Sequence, residues 1–386
     1  MKIASVETVV VNARMRNWIF VKIVTDDGVV GWGEATTEWR TRAVVGAVAD
    51  LEPLLVGNDP FAIERLWQSL SRHGFWPTGI VDSSAQSGID QALHDVKAKA
   101  LGVPIYELLG GAVRDRIRCY DHLGGGDPDE VYADPDPRRF AEAAQASVER
   151  GFDAIKVLPL PVQGLLPATG AAKRAAAVLE AIREAVGSSV DVMVDLHGRT
   201  SEAGAIEVGR ALEPFEPWFL EEPVGPGQAR ALPRIAAALR MPLATGERLI
   251  GRREFLPLLE AGGVAVIQPD VCHCGGLSEL RRIAALAETF GVALAPHNPL
   301  GPVATAHNLH VAASTPNWLI QEQMLNAAPW AEEIVTAPIR IENGHAALPE
   351  GPGLGLEVDE LAAARYAYEP EPQVRATFPD GSVADW

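Results

Sequence analysis

Short apolar runs alternate with amphipathic stretches along most of the chain. The runs have the length of buried strands, and the stretches between them repeat apolar residues with the helical period of 3.6. The runs are IRCY, FDAIKVL, VDVMVDL, PWFL, PLAT, VAVIQ, VALAP and NWLIQ. Eight strands that alternate with helices predict an α/β fold with a parallel barrel over residues 116–337, and an open doubly wound sheet is the alternative.

The first 115 residues have a different pattern. KIASVETVVV, WIFVKIVT and VVGWGEA are typical of strands, and the TDDG at residues 25–28 is typical of a hairpin turn between two of them. DSSAQSGIDQALHDVKAKALG then follows as a helix. We therefore predict an α+β domain over residues 1–115. Near the end of the chain IRIENGHAAL indicates another hairpin, and we expect residues 338–386 to return to this first domain.

Composition limits the partners of the chain. Of its 386 residues, 33 are Lys or Arg and 51 are Asp or Glu, so the formal net charge is −18. This charge disfavours binding to nucleic acid and to anionic membranes. The beginning of the chain lacks a signal-peptide pattern and no apolar stretch reaches membrane-spanning length, so we expect a cytoplasmic protein. Three cysteines predict no disulfide framework, and CHC at residues 272–274 lacks the partner CxxC of a zinc site.

Polar side chains end six consecutive predicted strands at intervals of roughly 25 residues. They are Asp195, Glu221, Glu247, Asp270, His297 and Glu322. In a parallel barrel the carboxyl ends of the strands meet at one mouth, where the active sites of this architecture lie. Helix N-caps also place acidic residues after strands, but cap preferences would select neither repeated Glu nor His. The pattern therefore predicts an active site at this mouth.

Three of the acidic residues lie on adjacent strands. Asp195, Glu221 and Glu247 offer hard oxygen ligands, which suit Mg²⁺ or, in its place, Mn²⁺. Glu222 adjoins Glu221 on the same strand, so only one of them faces the ion, and the pattern does not choose between them. His197 lies two residues after Asp195, and this spacing places both side chains on one face of a strand.

These motifs resemble the enolase superfamily in its mandelate racemase and muconate lactonizing enzyme branch, and within it most closely the D-galactonate dehydratases. The resemblance rests on VDLHGR, EEP, TGERL, IQPDVCHCGG, APHNPLGP, IQEQ and the terminal DGSVADW, with TDDGVVGWGE, GIDQALHDVKAKALGVPIYELLGG and AVRDRIR in the first part. It spans essentially the whole chain. It implies a modified TIM barrel, (β/α)7β, with an α+β N-terminal capping domain, in a homo-oligomer.

The resemblance also implies a hydro-lyase that removes water from an acid sugar with the help of Mg²⁺. Within EEP it favours Glu221 as the metal ligand. His297 would be the general base that removes the C2 proton, oriented by Asp270, which fixes its tautomer. The resulting enediolate would be stabilised by the ion. His197 would be the general acid for the departing 3-hydroxyl, and Glu322 would hydrogen-bond the substrate carboxylate opposite the metal.

One departure from the racemases favours elimination. Racemases that use two bases carry Lys-x-Lys at the end of the second barrel strand, whereas this chain has Lys156-Val157-Leu158. The alkyl side chain of Leu158 can neither donate nor accept a proton, so inversion by two bases is disfavoured. Lys156 itself could lie near the substrate carboxylate or be a solvated lysine with a buried stem.

The resemblance gives D-galactonate as the expected substrate and 2-dehydro-3-deoxy-D-galactonate as the product. Other aldonates or aldarates such as gluconate or arabinonate, C2 epimerisation or racemisation, and a non-catalytic paralogue are the alternatives. The candidate substrate-binding residues, each of which could instead be a solvated or interface side chain, are Lys156, Arg199, Arg14, Arg16, Asn17, Trp18, Trp39, Arg40 and Arg42. We expect structural roles, based on their apolar sequence neighbours, for His122, His307 and His310.

Overall fold

The computed structural model describes residues 1–123, 136–161, 164, 166–324, 327–373, 376–378 and 380–384. Asp385 and Trp386 of the terminal DGSVADW lie outside these residues.

The N-terminal part is an antiparallel sheet covered by helices. Its three strands, in the order β1-β2-β3, are β1 (Ile3–Ala13), β2 (Arg16–Thr25) and β3 (Val30–Glu34). The helices that follow are α1 (Thr41–Leu51), α2 (Ile63–Arg72), α3 (Ile80–Leu101) and α4 (Ile105–Leu108), with a 3₁₀ turn at Glu52–Leu54. Helix α3 packs so closely on β3 that a Cβ at Gly33 would overlap the carbonyl oxygen of Gly88, and only glycine fits there.

Eight parallel strands form a closed barrel. They are β4 (Arg116–His122), β5 (Ala154–Val157), β6 (Asp191–Asp195), β7 (Leu220–Glu221), β8 (Leu243–Thr245), β9 (Val266–Ile267), β10 (Ala293–Leu294) and β11 (Gln321–Gln323). Each strand from β4 to β9 pairs in parallel with the next, and β11 pairs in parallel with β4. Leu294 bridges to Trp318, just before β11, so the ring closes on both sides of the last strand.

One described helix follows each of the first seven barrel strands. These helices are α5 (Pro137–Glu149), α6 (Ala171–Val186), α7 (Glu202–Leu212), α8 (Leu232–Ala238), α9 (Gly251–Ala261), α10 (Gly276–Thr289) and α11 (Pro302–Ser314), with 3₁₀ turns at Glu213–Phe215 and Pro226–Ala231. The predicted (β/α)7β barrel with an α+β N-terminal domain is confirmed. Within the described part of the chain, every helix is too short or too polar to cross a lipid bilayer.

The barrel interior has an apolar floor. Alternate residues of a strand face the same side, and one buried residue in or directly beside each strand contributes to an interior cluster. The floor consists of Tyr120, Ala154, Met193, Phe219, Ala244, Val266, Ala295 and Ile320. By the same alternation, the residues two positions further along five of these strands also face the interior, and they are His122, Lys156, Asp195, Glu221 and Glu322. A polar layer therefore lies directly above the floor, at the carboxyl ends of the strands.

The C-terminal segment contacts both the barrel and the N-terminal domain. The predicted hairpin is formed by β12 (Ile341–Glu342) and β13 (His345–Ala347), and β13 pairs antiparallel with barrel strand β4. Further on, the segment includes helix α12 (Glu360–Ala363), and the indole N–H of Trp32 donates to Glu357. The hairpin thus adds to the barrel sheet, while the residues after it lie against the first domain.

Glu34 connects the first domain to the barrel. It ends β3 and is buried, and its carboxylate accepts hydrogen bonds from the backbone N–H groups of Gly301 and Ala304, both at 2.8 Å. These groups belong to the first turn of α11, which has no partners of its own for them. Burial raises the pKa of Glu34 to about 7. A carboxyl group of the N-terminal domain therefore caps the helix that follows the His297 loop.

Candidate active site

The three predicted metal ligands lie at the carboxyl ends of adjacent strands. Asp195 ends β6, Glu221 ends β7, and Glu247 lies two residues beyond β8. All three side chains are buried. Burial raises the pKa of each carboxyl group, and the negative charge of Glu247 adds to the rise for the other two. The barrel mouth therefore holds crowded negative charge.

The chemistry of this donor set fits a hard divalent cation. Three carboxylates that repel one another in a buried site are stabilised by a cation such as Mg²⁺, and Glu221 Oε2 is buried without a hydrogen-bond partner among the described residues. No three acidic, histidine or cysteine side chains of the described residues are already gathered at coordinating distance. Glu221 Oε1 lies 2.6 Å from Lys156 Nζ instead. The carboxylates would therefore have to draw together around the ion.

Glu222 has a different task from Glu221. Its Oε1 accepts hydrogen bonds from Thr245 Oγ1 and, at 3.0 Å, from Gly246 N. These residues lead directly into Glu247. The side chain of Glu222 thus fixes the loop that carries a predicted ligand, while Glu221 faces the barrel interior beside Lys156, which agrees with the choice of Glu221 within EEP.

Lys156 is part of the polar layer. Its side chain is 1% exposed, and Nζ lies 2.6 Å from Glu221 Oε1 and 2.8 Å from Glu322 Oε1. Burial opposes the charged form, but the two carboxylates outweigh it and hold the pKa of Lys156 well above its usual range. The alternative of a solvated lysine is therefore wrong. Leu158, which follows β5, is also buried and cannot transfer a proton.

His297 and Asp270 form a hydrogen-bonded pair. His297 Nδ1 lies 2.7 Å from Asp270 Oδ2, and Asp270 Oδ1 accepts the backbone N–H of Cys272 at 2.7 Å. The carboxylate accepts, so Nδ1 donates and Nε2 is left for a substrate. Burial opposes the imidazolium, but Glu247 and Asp270 outweigh it and raise the pKa of His297 to about 10. A cation bound by Glu247 would offset that negative charge and favour the neutral ring, which is the form a base needs.

His197 is held by its backbone at the other side of the mouth. Its φ is +55°, its N–H donates to Asp195 Oδ1 at 2.6 Å, and its carbonyl accepts from Arg248 Nη2 at 3.0 Å. Burial, followed by the positive charges of Arg199 and Arg248, lowers the pKa of His197 well below its usual range. An anionic substrate nearby would raise this pKa again, and His197 needs the added proton to act as an acid.

Both oxygens of Glu322 already have protein partners. Oε1 lies near Lys156 Nζ and 2.9 Å from His122 Nδ1, and Oε2 accepts the backbone N–H of Asn298 at 2.6 Å. Burial raises the pKa of this carboxyl group, but Lys156 outweighs burial and holds the pKa well below its usual range. Glu322 is therefore an anion that anchors Lys156 and His122. A direct bond from Glu322 to a substrate carboxylate stays a prediction, and it would require a proton that this anion lacks.

His122 lies at the mouth, beside Glu322 and Lys156, a position that the sequence analysis did not give it. Sequence reasoning missed it because the predicted run IRCY stops at Tyr120, whereas β4 continues to His122. The usable signal was the strand-end position itself, two residues beyond Tyr120. The other two histidines bind backbone carbonyls, as Nε2 of His307 lies 2.9 Å from Trp32 O and Nε2 of His310 lies 3.1 Å from Leu354 O.

The guanidinium groups of Arg16 and Arg199 bind other groups of the protein. Arg16 Nη2 lies 2.9 Å from Glu38 Oε1, and Nη1 donates to the carbonyl of Pro299 in the loop after His297. Arg199 is buried, and its Nη1 donates to Leu160 O at 2.8 Å. Both residues lie near the mouth, and substrate contact stays a prediction for each.

The tryptophans lie in different places. Trp18 is buried and lines a cavity of about 180 Å³ together with Leu300 and Gln323. Trp39 donates from its indole N–H to Pro372 O at 2.8 Å, so it contacts the C-terminal segment. Asn17 and Arg42 contact the same segment, through Glu369 O and the ring of Tyr368. Asn17, Trp39 and Arg42 therefore make interface contacts, which is the alternative to substrate binding given for them in the sequence analysis.

Family models match both parts of the chain. Residues 2–110 match the N-terminal domain of the mandelate racemase / muconate lactonizing enzyme family. Residues 139–362 match the enolase C-terminal domain-like family. Together the two matches cover the antiparallel sheet and nearly the whole barrel.

Relatives of similar length carry the name D-galactonate dehydratase. A D-galactonate dehydratase from Ralstonia nicotianae is 45% identical, with 96% of each chain covered, and one from Verminephrobacter eiseniae is 43% identical over all of both chains. A solved structure from Agrobacterium radiobacter, described as an enolase and a candidate galactarate dehydratase with bound sodium and L-malate, has a TM-score of 0.90 and 36% identity over the full length of both chains.

Proposed function

This chain belongs to the enolase superfamily, in its mandelate racemase and muconate lactonizing enzyme group, and we propose that it removes water from D-galactonate to give 2-dehydro-3-deoxy-D-galactonate. As a class of reaction this is acid-sugar dehydration by a hydro-lyase. Full-length similarity to D-galactonate dehydratases from several organisms supports the substrate.

The observation that carries the proposal is the pairing of His297 with Asp270 in the same mouth as His197. The first two are 2.7 Å apart, which supplies an oriented base, and His197 supplies a second imidazole beyond the end of β6. Elimination of water needs a base at the α-carbon and an acid at the β-hydroxyl, since hydroxide is a poor leaving group. The alkyl side chain of Leu158 disfavours the alternative of a two-base epimerase or racemase.

The residues of this chain would divide the reaction among them. Asp195, Glu221 and Glu247 would hold Mg²⁺, or Mn²⁺ in its place, and the bound ion would supply positive charge against the charge that develops on the substrate carboxylate. His297 Nε2 would take the C2 proton. His197 would then protonate the leaving 3-hydroxyl, and the enol product would tautomerise to the 2-keto-3-deoxy acid.

The test is a screen of the purified protein with Mg²⁺ against aldonic and aldaric acids. The panel includes D-galactonate, D-gluconate, D-arabinonate and galactarate, the last because of the Agrobacterium neighbour. Product is read as the absorbance of the 2-keto-3-deoxy acid semicarbazone, and each active acid is measured again with EDTA. We expect EDTA-sensitive turnover of D-galactonate.

His297→Asn is the matched control, since it removes the base but can keep a hydrogen bond to Asp270. The variant should fold and lose turnover. Turnover of another acid in place of D-galactonate would change the substrate, and C2 hydrogen exchange with inversion but without keto acid would replace dehydration by epimerisation. The cytoplasmic location and the homo-oligomer stay proposals, which cell fractionation and size-exclusion chromatography would test.

A further inference from the structure

His122 is a polar residue of the mouth that the reaction above does not use. It ends β4, where its backbone pairs with Lys156 of β5, and Tyr120 two residues earlier pairs with Glu322 of β11. Tyr120 belongs to the apolar floor, so the alternation along β4 places His122 in the polar layer above it. The intervening residue Asp121 confirms the alternation, because it binds Arg150 after helix α5, outside the barrel.

The partner of Nδ1 fixes the tautomer of His122. Nδ1 lies 2.9 Å from Glu322 Oε1, an oxygen that is also 2.8 Å from Lys156 Nζ. Glu322 is ionised and can only accept hydrogen bonds, so Nδ1 must carry a proton. Burial lowers the pKa of His122, which favours the neutral ring. In a neutral ring with the proton on Nδ1, Nε2 is a bare acceptor.

This acceptor has no partner within the protein. Nε2 is buried and, among the described residues, no group donates a hydrogen bond to it. The side chain as a whole is 10% exposed, so the mouth still reaches the ring. A buried acceptor without a donor is unfavourable, and a ligand that brings an O–H group to it would remove this cost. Acid sugars carry several hydroxyl groups.

We propose that His122 is a specificity-determining residue whose Nε2 accepts a hydrogen bond from one hydroxyl group of the acid-sugar substrate. The inference rests on the proposed function. The hydroxyl group is one that the product retains, because a bare acceptor cannot protonate a leaving group. His122 thus selects among acid sugars by the position and configuration of one hydroxyl.

Two substitutions at this position separate the acceptor from the contact with Glu322. The amide of His122→Asn can place a donor near the position of Nδ1 and keep the bond to Glu322, but it leaves nothing at the position of Nε2. The longer His122→Gln can bring an amide oxygen to the position of Nε2. We expect kcat/KM for the best substrate to fall about tenfold to a hundredfold in His122→Asn and to recover in part in His122→Gln.

Analogues that each lack one of the hydroxyl groups retained in the product identify the partner hydroxyl. The 3-deoxy acid is left out, because it has no leaving group. With the wild-type enzyme, the analogue that lacks the partner hydroxyl should lose kcat/KM by a similar factor. In His122→Asn, that analogue and the parent acid should be turned over equally well, while the other analogues keep their wild-type ratios. Equal losses on every analogue would show a merely structural role and overturn the proposal, as would unchanged kcat/KM in His122→Asn.

A measurement on the resting enzyme tests the tautomer separately. The ¹⁵N chemical shifts of His122, assigned by comparison with His122→Asn, should show a protonated Nδ1 and an unprotonated Nε2. A protonated Nε2 would overturn this proposal while leaving the dehydratase intact. Absence of keto acid from every acid with the wild-type enzyme would overturn the proposed function and this inference with it.

Discussion

The apolar floor of the barrel and the polar layer above it are built by the same strands but differ in what stabilises them. Phe219, the residue before β7, lies in the floor, and Glu221 at the end of β7 lies in the layer above; both are buried. Burial of Phe219 removes apolar surface from water and stabilises the fold. Burial of Glu221 instead raises its pKa well above the usual range, which means that the charged form is destabilised there. The floor stabilises the fold. The layer above it places ionisable groups where a ligand can bind, at a cost in stability.

The sharpest test of this difference is Glu221→Gln. We expect kcat to fall on the order of a hundredfold to a thousandfold, because one charge that holds the cation is lost. The substitution also removes one of the two ion pairs of Lys156, which keeps Glu322 at 2.8 Å. Relief of the repulsion from Asp195 and Glu247 offsets this loss, so the melting temperature without Mg²⁺ should change little. Steady-state kinetics and calorimetry measure the two effects, and a large loss of stability with retained kcat would reverse our comparison of the layers.

Phe219→Ala is the matched change in the floor. We expect the free energy of unfolding to fall by about 3–5 kcal/mol, since a large buried ring leaves a cavity. At a temperature where the variant is folded, kcat should stay close to that of the wild type. Denaturant unfolding checks the first expectation, with Phe219→Leu as a milder control. If Phe219→Ala loses activity as strongly as Glu221→Gln, the floor and the layer are not separable.

Addition of Mg²⁺ should stabilise the folded protein. At a concentration a hundred times the dissociation constant, a ligand that binds only the folded state adds about 2.7 kcal/mol. The melting temperature of the wild type should therefore rise as MgCl₂ is added, and Glu221→Gln should remove most of this rise. The same rise in both proteins would place the cation elsewhere.

Glu34 is a buried carboxyl group that is not one of the predicted catalytic residues. It therefore shows how burial of a carboxyl group alone affects stability. Its pKa is raised from 4.5 to about 7 in the folded protein. The folded state therefore holds the Glu34 proton more tightly than the unfolded state does. The contribution of this group to the free energy of unfolding is fully present below pH 4.5 and is lost as the pH rises through about 7. The expected loss is about 1 kcal/mol per pH unit within this window.

Glu34→Gln removes this titration and keeps an acceptor for the first turn of α11. The free energy of unfolding of the wild type should therefore fall more steeply from pH 5 to pH 7.5 than that of the variant. Denaturant unfolding at several pH values measures both slopes. Parallel slopes would show that Glu34 does not titrate in this range.

Local patterns were sufficient to predict the barrel and most of its mouth. Strands and helices of a (β/α) unit follow from periodicities of two and 3.6 residues, and the carboxyl end of each strand is a position in sequence. Asp195, Glu221 and His297 could therefore be assigned to one mouth before any contact was known. The resemblance to a family then added roles that the pattern alone does not contain, such as the choice of Glu221 over Glu222.

The order of the strands, the apolar floor and the residues at the strand ends follow from the sequence, because side-chain alternation and hydrophobic period are local properties. Which of these residues meet depends on how the strands assemble. His122 and Glu322 are 200 residues apart in the chain and become neighbours because β11 closes the barrel against β4. Burial of Lys156 between Glu221 and Glu322 depends on the same closure. Desolvation and charge pairing are properties of the assembled neighbourhood, and no single segment of the sequence contains that neighbourhood.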